Sequence, residues 1–241
     1  MVYIAASLDW ITMAENKRNY QKELEKILDE VEKSGKKPKL LLHACCGPCS
    51  SYCLEYLTHY FDITIYYYNP NIDPKEEFEY RVSELKRLIK EMPLENKVEL
   101  IVEHYDHNEF KSHTKGLEDE PERGKRCTMC YALRLSRTAE YAAEHHYDFF
   151  TTTLSISPYK DADRLVQIGE ALSKKCGVRY LTSDFKKRNG YKRSIELSTQ
   201  YNLYRQDFCG CHFSKEENDK RRADVLKKLQ KDGKVTVGEI K

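Results

Sequence analysis

Two hydrophobic periods alternate along most of this chain. Over residues 12–33 the apolar positions Tyr20, Leu24, Ile27, Leu28 and Val31 share one helical face, and Thr12 with Glu15 has capping-box spacing. Ser34-Gly35-Lys36-Lys37-Pro38 ends that helix. The next run, Leu40-Leu41-Leu42-His43-Ala44, is too short to cross a membrane and has the length of a core strand. It stops at Cys45-Cys46-Gly47-Pro48-Cys49, and helical spacing resumes from residue 50 to about 60. Residues 62–68 form a second strand of β-branched and aromatic residues, closed by Asn69-Pro70-Asn71. A charged helix over residues 74 to about 91 carries Phe78, Val82, Leu85, Leu88 and Ile89 on one side, and residues 98–102 are a third strand. Residues 104–126 are polar, with Gly116, Pro121 and Gly124, and predict a loop with short helical pieces covering a site. They lead into Cys127-Thr128-Met129-Cys130 and a helix to about residue 145. Residues 148–154 are a fourth strand, Asp161 caps a helix to about residue 174, and residues 178–181 are a shorter fifth strand.

This alternation predicts an α/β fold: an open, mainly parallel sheet with helices on both faces, Rossmann-like in arrangement. The division along the chain is an N-terminal helical segment over residues 1–38, an α/β catalytic domain over 39–214, and a charged helical tail over 215–241. Open parallel sheets bind ligands beyond the carboxyl ends of their strands. The first strand ends at Cys45, the second at Asn69 and the fourth at Ser155-Ile156-Ser157-Pro158-Tyr159-Lys160, so these clusters are expected to face one crevice.

Composition changes the picture at the cysteines. A chain of 241 residues can bury a core without disulfide staples, yet there are nine cysteines, at 45, 46, 49, 53, 127, 130, 176, 209 and 211. An odd, clustered set is a poor disulfide framework and points to metal or redox chemistry. The first residues lack the basic start and apolar block of a secretory signal, and no later segment is long enough to span a bilayer. A soluble, cytoplasmic protein with reduced thiols is expected. Lys and Arg total 41 against 39 Asp and Glu, so the net charge of +2 sets up no global field for nucleic acid. Local basic patches are Lys36-Lys37-Pro38-Lys39, Lys186-Lys187-Arg188 with Lys192-Arg193, and Lys220-Arg221-Arg222; for any one alone, a solvated face is the simpler reading.

A C-x-x-C directs two sulfurs to one side of a turn, which suits zinc, an iron-sulfur cluster or a redox disulfide. The tighter Cys209-Gly210-Cys211 can chelate one metal or form a strained disulfide. Cys46-Gly47-Pro48-Cys49 is also the thioredoxin tetrapeptide, between a strand and a helix as that fold requires. The extra Cys45, the missing aromatic before the motif and two further thiol pairs count against that reading. A structural zinc site is the bland alternative, although adjacent Cys45 and Cys46 are awkward ligands for one tetrahedral ion.

The combination resembles the QueH-type epoxyqueuosine reductases, formerly a family of unknown function. The matching segments are residues 41–50; Asn69-Pro70-Asn71-Ile72 with Pro74; Arg126-Cys127 with Cys130-Tyr131 and Arg134-Leu135; Ser157-Pro158-Tyr159; and residues 204–211, in family order from about 39 to 214. The resemblance implies a two-electron reductive deoxygenation of epoxyqueuosine to queuosine at the wobble position of tRNA. It further implies that Cys45, Cys46, Cys127 and Cys130 hold a 4Fe-4S cluster. Cys209 and Cys211 would then form a second redox element, as ligands of an additional mononuclear iron or as a reversible disulfide. The implied partners are tRNA carrying epoxyqueuosine and an electron donor the sequence does not identify, with no membrane. The alternatives from other classes are a thioredoxin-like oxidoreductase and a zinc-stabilised RNA-binding protein. Among the remaining residues, Cys49 and Cys53 read as packing residues, with Cys49 near enough to substitute as a ligand, and Cys176 as structural. His43 reads as a packed histidine, Asp184 and Asp207 as candidate carboxylates for a second iron, and Tyr159 and Lys160 as residues facing substrate.

Overall fold

A computed structural model describes residues 18–231. Five parallel strands, β1 (Lys39–His43), β2 (Asp62–Tyr67), β3 (Glu99–Val102), β4 (Phe149–Thr152) and β5 (Arg179–Tyr180), form one sheet in the order β3-β2-β1-β4-β5. Helix α1 (Tyr20–Ser34) precedes the sheet, starting at an Asn19 cap whose side chain accepts from the Lys22 amide. The capping box expected at Thr12 and Glu15 lies outside the described residues. The helices that follow are α2 (Gly47–Leu57), α3 (Lys75–Glu91), α4 (His107–Thr114), α5 (Lys125–Glu144), α6 (Ala162–Cys176), α7 (Gly190–Gln200) and α8 (His212–Lys231).

The strand β1 reads as an unbroken apolar run because helices cover both faces of the sheet. Its alternate residues divide the core: Leu40 and Leu42 pack with Leu24, Leu28, Leu54 and Leu85 of α1, α2 and α3 on one face. Leu41 packs on the other face with Leu133, Leu135, Leu165 and Val166 of α5 and α6. The chain leaves β1 for β2 on one side and returns to β4 on the other, so the carboxyl ends of β1 and β4 flank the switch point where such sheets open a crevice.

Strand and helix types follow the hydrophobic pattern, and Asp161 caps α6 as expected, its carboxylate accepting from the Arg164 amide. Two details depart from it. The Cys127-Cys130 pair lies inside the first turns of α5 rather than ahead of a helix. Helix α7, over a stretch that the apolar pattern leaves blank, packs on α2 through small residues. Gly190 permits this, since a Cβ there would collide with the Phe185 carbonyl and the Tyr52 ring. No helix among the described residues is long and apolar enough to cross a membrane.

Candidate active site

Beyond β1 the backbone is still held by the sheet: the Ala44 amide donates to the Tyr66 carbonyl at 3.1 Å, and Asn69 Nδ2 donates to the Ala44 carbonyl at 2.8 Å. Cys46 then caps α2 in an extended conformation, with Pro48 in the first turn where no amide partner is needed. This places Cys45, Cys46 and Cys49 at the positive end of a helix. Their sulfurs lie within 4.8 Å of one another, Cys45 to Cys46 at 3.7 Å. The Cys46 thiol is pushed well down by hydrogen bonds from Cys45 and Cys49, with Arg81 adding its charge, whereas the Cys45 and Cys49 thiols are pushed up. His43, fully buried, donates Nε2–H to the Tyr68 carbonyl at 3.1 Å and contacts Thr152 Oγ1 at 2.8 Å. Burial, aided by Arg134, holds its pKa down to about 3, so it stays neutral and packs the strand end, as expected.

The other thiols come from two further segments. Cys127 and Cys130 project from the first turns of α5, with the Arg123 amide donating to Cys127 Sγ at 3.2 Å. Cys209 and Cys211 lie on the loop that enters α8, where Gly210 has φ 126° and a Cβ would come within 2.9 Å of Ile72. The loop is fastened by the Asp73 amide on the Gly210 carbonyl (2.9 Å), Arg81 Nη1 on the Cys209 carbonyl (3.1 Å) and the Cys209 amide on Ser214 Oγ (3.0 Å). These four cysteines line one small cavity with Tyr131 and Arg134. Beside it opens a cleft of about 860 Å³, reached by Cys45, Cys49 and Cys209 and rimmed by Tyr159, Tyr191, Arg205, Arg221 and Arg222. Cys209 and Arg134 border both spaces.

Two cations lie among the sulfurs. Arg134 and Arg81 are each 1% exposed, and each has an Nη2 with no hydrogen-bond partner. Arg81 pairs with Glu77 at 2.7 Å, whereas Arg134 reaches only the Cys130 carbonyl (3.1 Å) and Asn69 Oδ1 (3.4 Å). A buried guanidinium without a carboxylate is costly unless other anions surround it. Burial opposes the charge of Arg134, and negative charge on the neighbouring sulfurs of Cys130, Cys209 and Cys45 favours it, Cys209 being the one of the three whose thiol is pushed down. Lys160 Nζ stands 2.7 Å from Cys209 Sγ; although burial raises the Cys209 thiol, Lys160 and Arg134 outweigh it and the pKa falls. Cys211 is pushed up by burial and by Cys209.

Sulfur donors with buried counter-cations fit a thiolate-ligated, anionic metal centre, since soft thiolates select zinc or iron-sulfur clusters. The tight sulfur group is Cys45-Cys46-Cys49, so Cys49 stands closer to Cys45 and Cys46 than a packing role requires. Its signal was the Cys46-x-x-Cys49 spacing itself. Arg81 and Arg134 were missed; each is a charge set among core positions of a helix, Arg134 between Leu133 and Leu135. Cys53 is buried in the core and Cys176 lies at the end of α6, outside both cavities. Asp184 is tied to Lys186 at 2.6 Å and lines neither cavity, while Asp207 is on the cleft wall, paired with Arg222.

The family profile for Epoxyqueuosine reductase QueH matches residues 40–217. The chain belongs to the QueH family. Relatives described as Epoxyqueuosine reductase QueH include one from Staphylococcus epidermidis, 44% identical over 208 residues, covering 84% of this chain and 87% of that protein. One from Streptococcus pyogenes is 39% identical over 91% of this chain and 85% of its own length. A Thermotoga maritima relative is 32% identical over 78% of this chain and 96% of its own. The matched span contains every thiol of the two cavities, from Cys45 to Cys211.

Proposed function

We propose that this protein is the epoxyqueuosine reductase of its cell, converting epoxyqueuosine in tRNA to queuosine. The observation that carries the reading is the meeting of Cys45, Cys49, Cys127, Cys130, Cys209 and Cys211 around two adjoining cavities at the sheet's switch point, with Cys46 within 4.8 Å of Cys45 and Cys49. The relatives' shared name supplies the substrate. Removing the epoxide oxygen breaks both of its C–O bonds, leaves a carbon-carbon double bond, and consumes two electrons and two protons as the oxygen departs as water.

Cys45, Cys46, Cys127 and Cys130 are the proposed ligands of a 4Fe-4S cluster, which when bound supplies low-potential electrons one at a time. Arg81 and Arg134 balance the negative charge of thiolates in a dry interior. Cys209 and Cys211 are the proposed second redox element, beside Cys127 and Cys130 in the small cavity, with Cys209 also reaching the cleft. The Lys160 contact at 2.7 Å supports the dithiol reading, because the ammonium stabilises Cys209 as a thiolate. Held as thiolate by Lys160, Cys209 bonds to Cys211 as the pair closes to a disulfide, which releases the two electrons that the deoxygenation consumes, with the two protons coming from the Cys211 thiol and Lys160. Lys160, on the cleft wall, is the donor placed to protonate the departing oxygen.

The cleft rim supports an RNA substrate. Of the three basic patches, Lys36–Lys39 leads into the amino end of β1, remote from the cleft, and in the Lys186–Arg193 patch Lys186, Arg188 and Arg193 pair with Asp184, Glu25 and Glu55. Arg221 and Arg222 of the third line the cleft with Arg205, where partners Glu122 and Asp207 are exchangeable for phosphate. Tyr159 and Tyr191 offer faces for an extruded base. All nine cysteines are unpaired, which suits a reducing cytoplasm.

A second ligand set has its own support: Cys49, within 4.8 Å of Cys45 and Cys46, replacing one of the α5 thiols. Anaerobically purified protein tests both. The expected result is a brown protein containing iron and acid-labile sulfide that converts epoxyqueuosine to queuosine in tRNA, followed by nucleoside mass spectrometry. A colourless, zinc-only protein without turnover contradicts the proposal. Cluster loss in Cys49→Ala with retention in Cys127→Ala selects the second ligand set.

A further inference from the structure

Away from the two cavities, three side chains from three segments converge on one point. Asp73 comes from the loop between β2 and α3, His107 is the first residue of α4, and His212 is the first residue of α8. Their ligand atoms all lie within 4.8 Å of one another. We propose that Asp73, His107 and His212 form a mononuclear site for a divalent transition ion of the zinc or ferrous class, separate from the thiol centre and fastening the Cys209–Cys211 loop.

The second observation is at His107, which is 9% exposed. Its Nδ1 stands 2.8 Å from the Pro70 carbonyl and so carries the proton, which leaves Nε2 with a lone pair. That Nε2 is buried with no hydrogen-bond partner. An imidazole whose Nδ1–H is held by a backbone carbonyl while its Nε2 is free is how proteins orient a metal-binding histidine. Among the described residues the Asp73 carboxylate forms no ion pair, and the His107 and His212 rings meet edge-on with centroids 6.2 Å apart.

The donor set decides the ion. Calcium and magnesium take oxygen ligands, and purely thiolate-seeking ions go to the cysteines, whereas two imidazoles and a carboxylate suit zinc, cobalt or ferrous iron. Metal-nitrogen bonds of about 2.1 Å in a tetrahedral site bring ligand atoms to about 3.4 Å apart, a contraction of at most about 1.4 Å that side-chain torsions can supply. A fourth ligand is at hand: the carboxylate of Glu216, one turn along α8 from His212 and close enough to act on its charge, as is the cation Lys111. None of the three ligands lines either thiol cavity. The ion therefore acts by position. Its ligand His212 is bonded to Cys211, and the Asp73 amide holds the Gly210 carbonyl at 2.9 Å, so the ion locks the redox loop to β2 and α4 from behind.

The test uses the full chain with its thiol centre reconstituted by iron and sulfide, and Co²⁺ as probe. Wild type is expected to take up one further Co²⁺ with the d–d absorption of a nitrogen and oxygen site and no sulfur-to-cobalt charge transfer. X-ray absorption at the cobalt edge should show imidazole scattering. His107→Ala and the isosteric Asp73→Asn should lose that ion, with affinity falling at least about tenfold, while iron and sulfide content stay at the wild-type level. Co²⁺ should raise the unfolding temperature of wild type and not that of Asp73→Asn, which decides the matter if His107→Ala fails to fold. Equal uptake by wild type and Asp73→Asn, or a cobalt spectrum dominated by sulfur ligation, overturns the site. These readouts do not depend on reductase turnover, so they stand apart from the function proposed above.

Discussion

The two thiol groups are built in opposite ways. Cys45, Cys46 and Cys49 are encoded by five consecutive residues on the junction of the central strand with α2, beneath which Leu40, Leu41, Leu42, Cys53 and Leu54 are wholly buried. Cys127, Cys130, Cys209 and Cys211 come from a helix start and a loop some 80 residues apart, brought together by side-chain and backbone hydrogen bonds rather than by the sheet. The first group inherits the stiffness of the core. In the second, Cys209 alone reaches the open cleft, which Cys45 and Cys49 of the first group also line, and Lys160 stands against the Cys209 sulfur. On the proposed reading the junction thiols hold the cluster together with Cys127 and Cys130 of the helix start, and the Cys209–Cys211 loop reacts.

The strongest way to break that division is at the holding thiols. Cys46→Ala should abolish both visible cluster absorption and turnover, at least about a hundredfold in rate, with Cys127→Ala doing the same and Cys176→Ala neither. Full cluster absorption in Cys46→Ala would sink the holding role. Next comes Lys160→Met, for which a loss of about 10²–10³ in kcat is expected with iron and sulfide content unchanged. An equal loss of iron would make Lys160 part of the cradle instead. Arg134→Met removes the counter-charge shared by both groups and should slow turnover roughly tenfold while weakening cluster retention, measured as iron content after gel filtration. The smallest effect is expected at the rim: Arg221→Ala or Arg222→Ala should weaken tRNA binding a few-fold and reduce the slope of log affinity against log salt by about one, with turnover at saturating tRNA unchanged. An unaltered salt slope in the double variant would move the RNA surface elsewhere.

The holding group was legible in the sequence because everything it needs is local. An apolar run, a Gly-Pro break and a helical spacing around three cysteines announce a strand-to-helix junction before any contact is known. The sheet was legible for the same reason, down to the cap at Asp161. Helix α7 was not, because it packs through Gly190, Ser194 and Ser198, whose smallness carries no hydrophobic signal. The meeting of Cys130 with Cys211, the buried charges of Arg81 and Arg134, and the Asp73-His107-His212 triad depend on tertiary proximity between distant segments, which spacing along the chain does not record. Cys49 lies between the two cases: its spacing made it a substitute ligand in the sequence, and its sulfur stands within 4.8 Å of those of Cys45 and Cys46.

The most direct test of the holding and reacting division is to substitute the reacting pair and read both properties in one sample. Cys209→Ala and Cys211→Ala, purified anaerobically, should keep the iron, sulfide and visible spectrum of the wild type while converting no epoxyqueuosine to queuosine in tRNA by nucleoside mass spectrometry. Loss of the cluster in these variants together with its retention in Cys127→Ala would contradict the account, since it would place the loop in the cradle and the helix thiols on the side of the substrate.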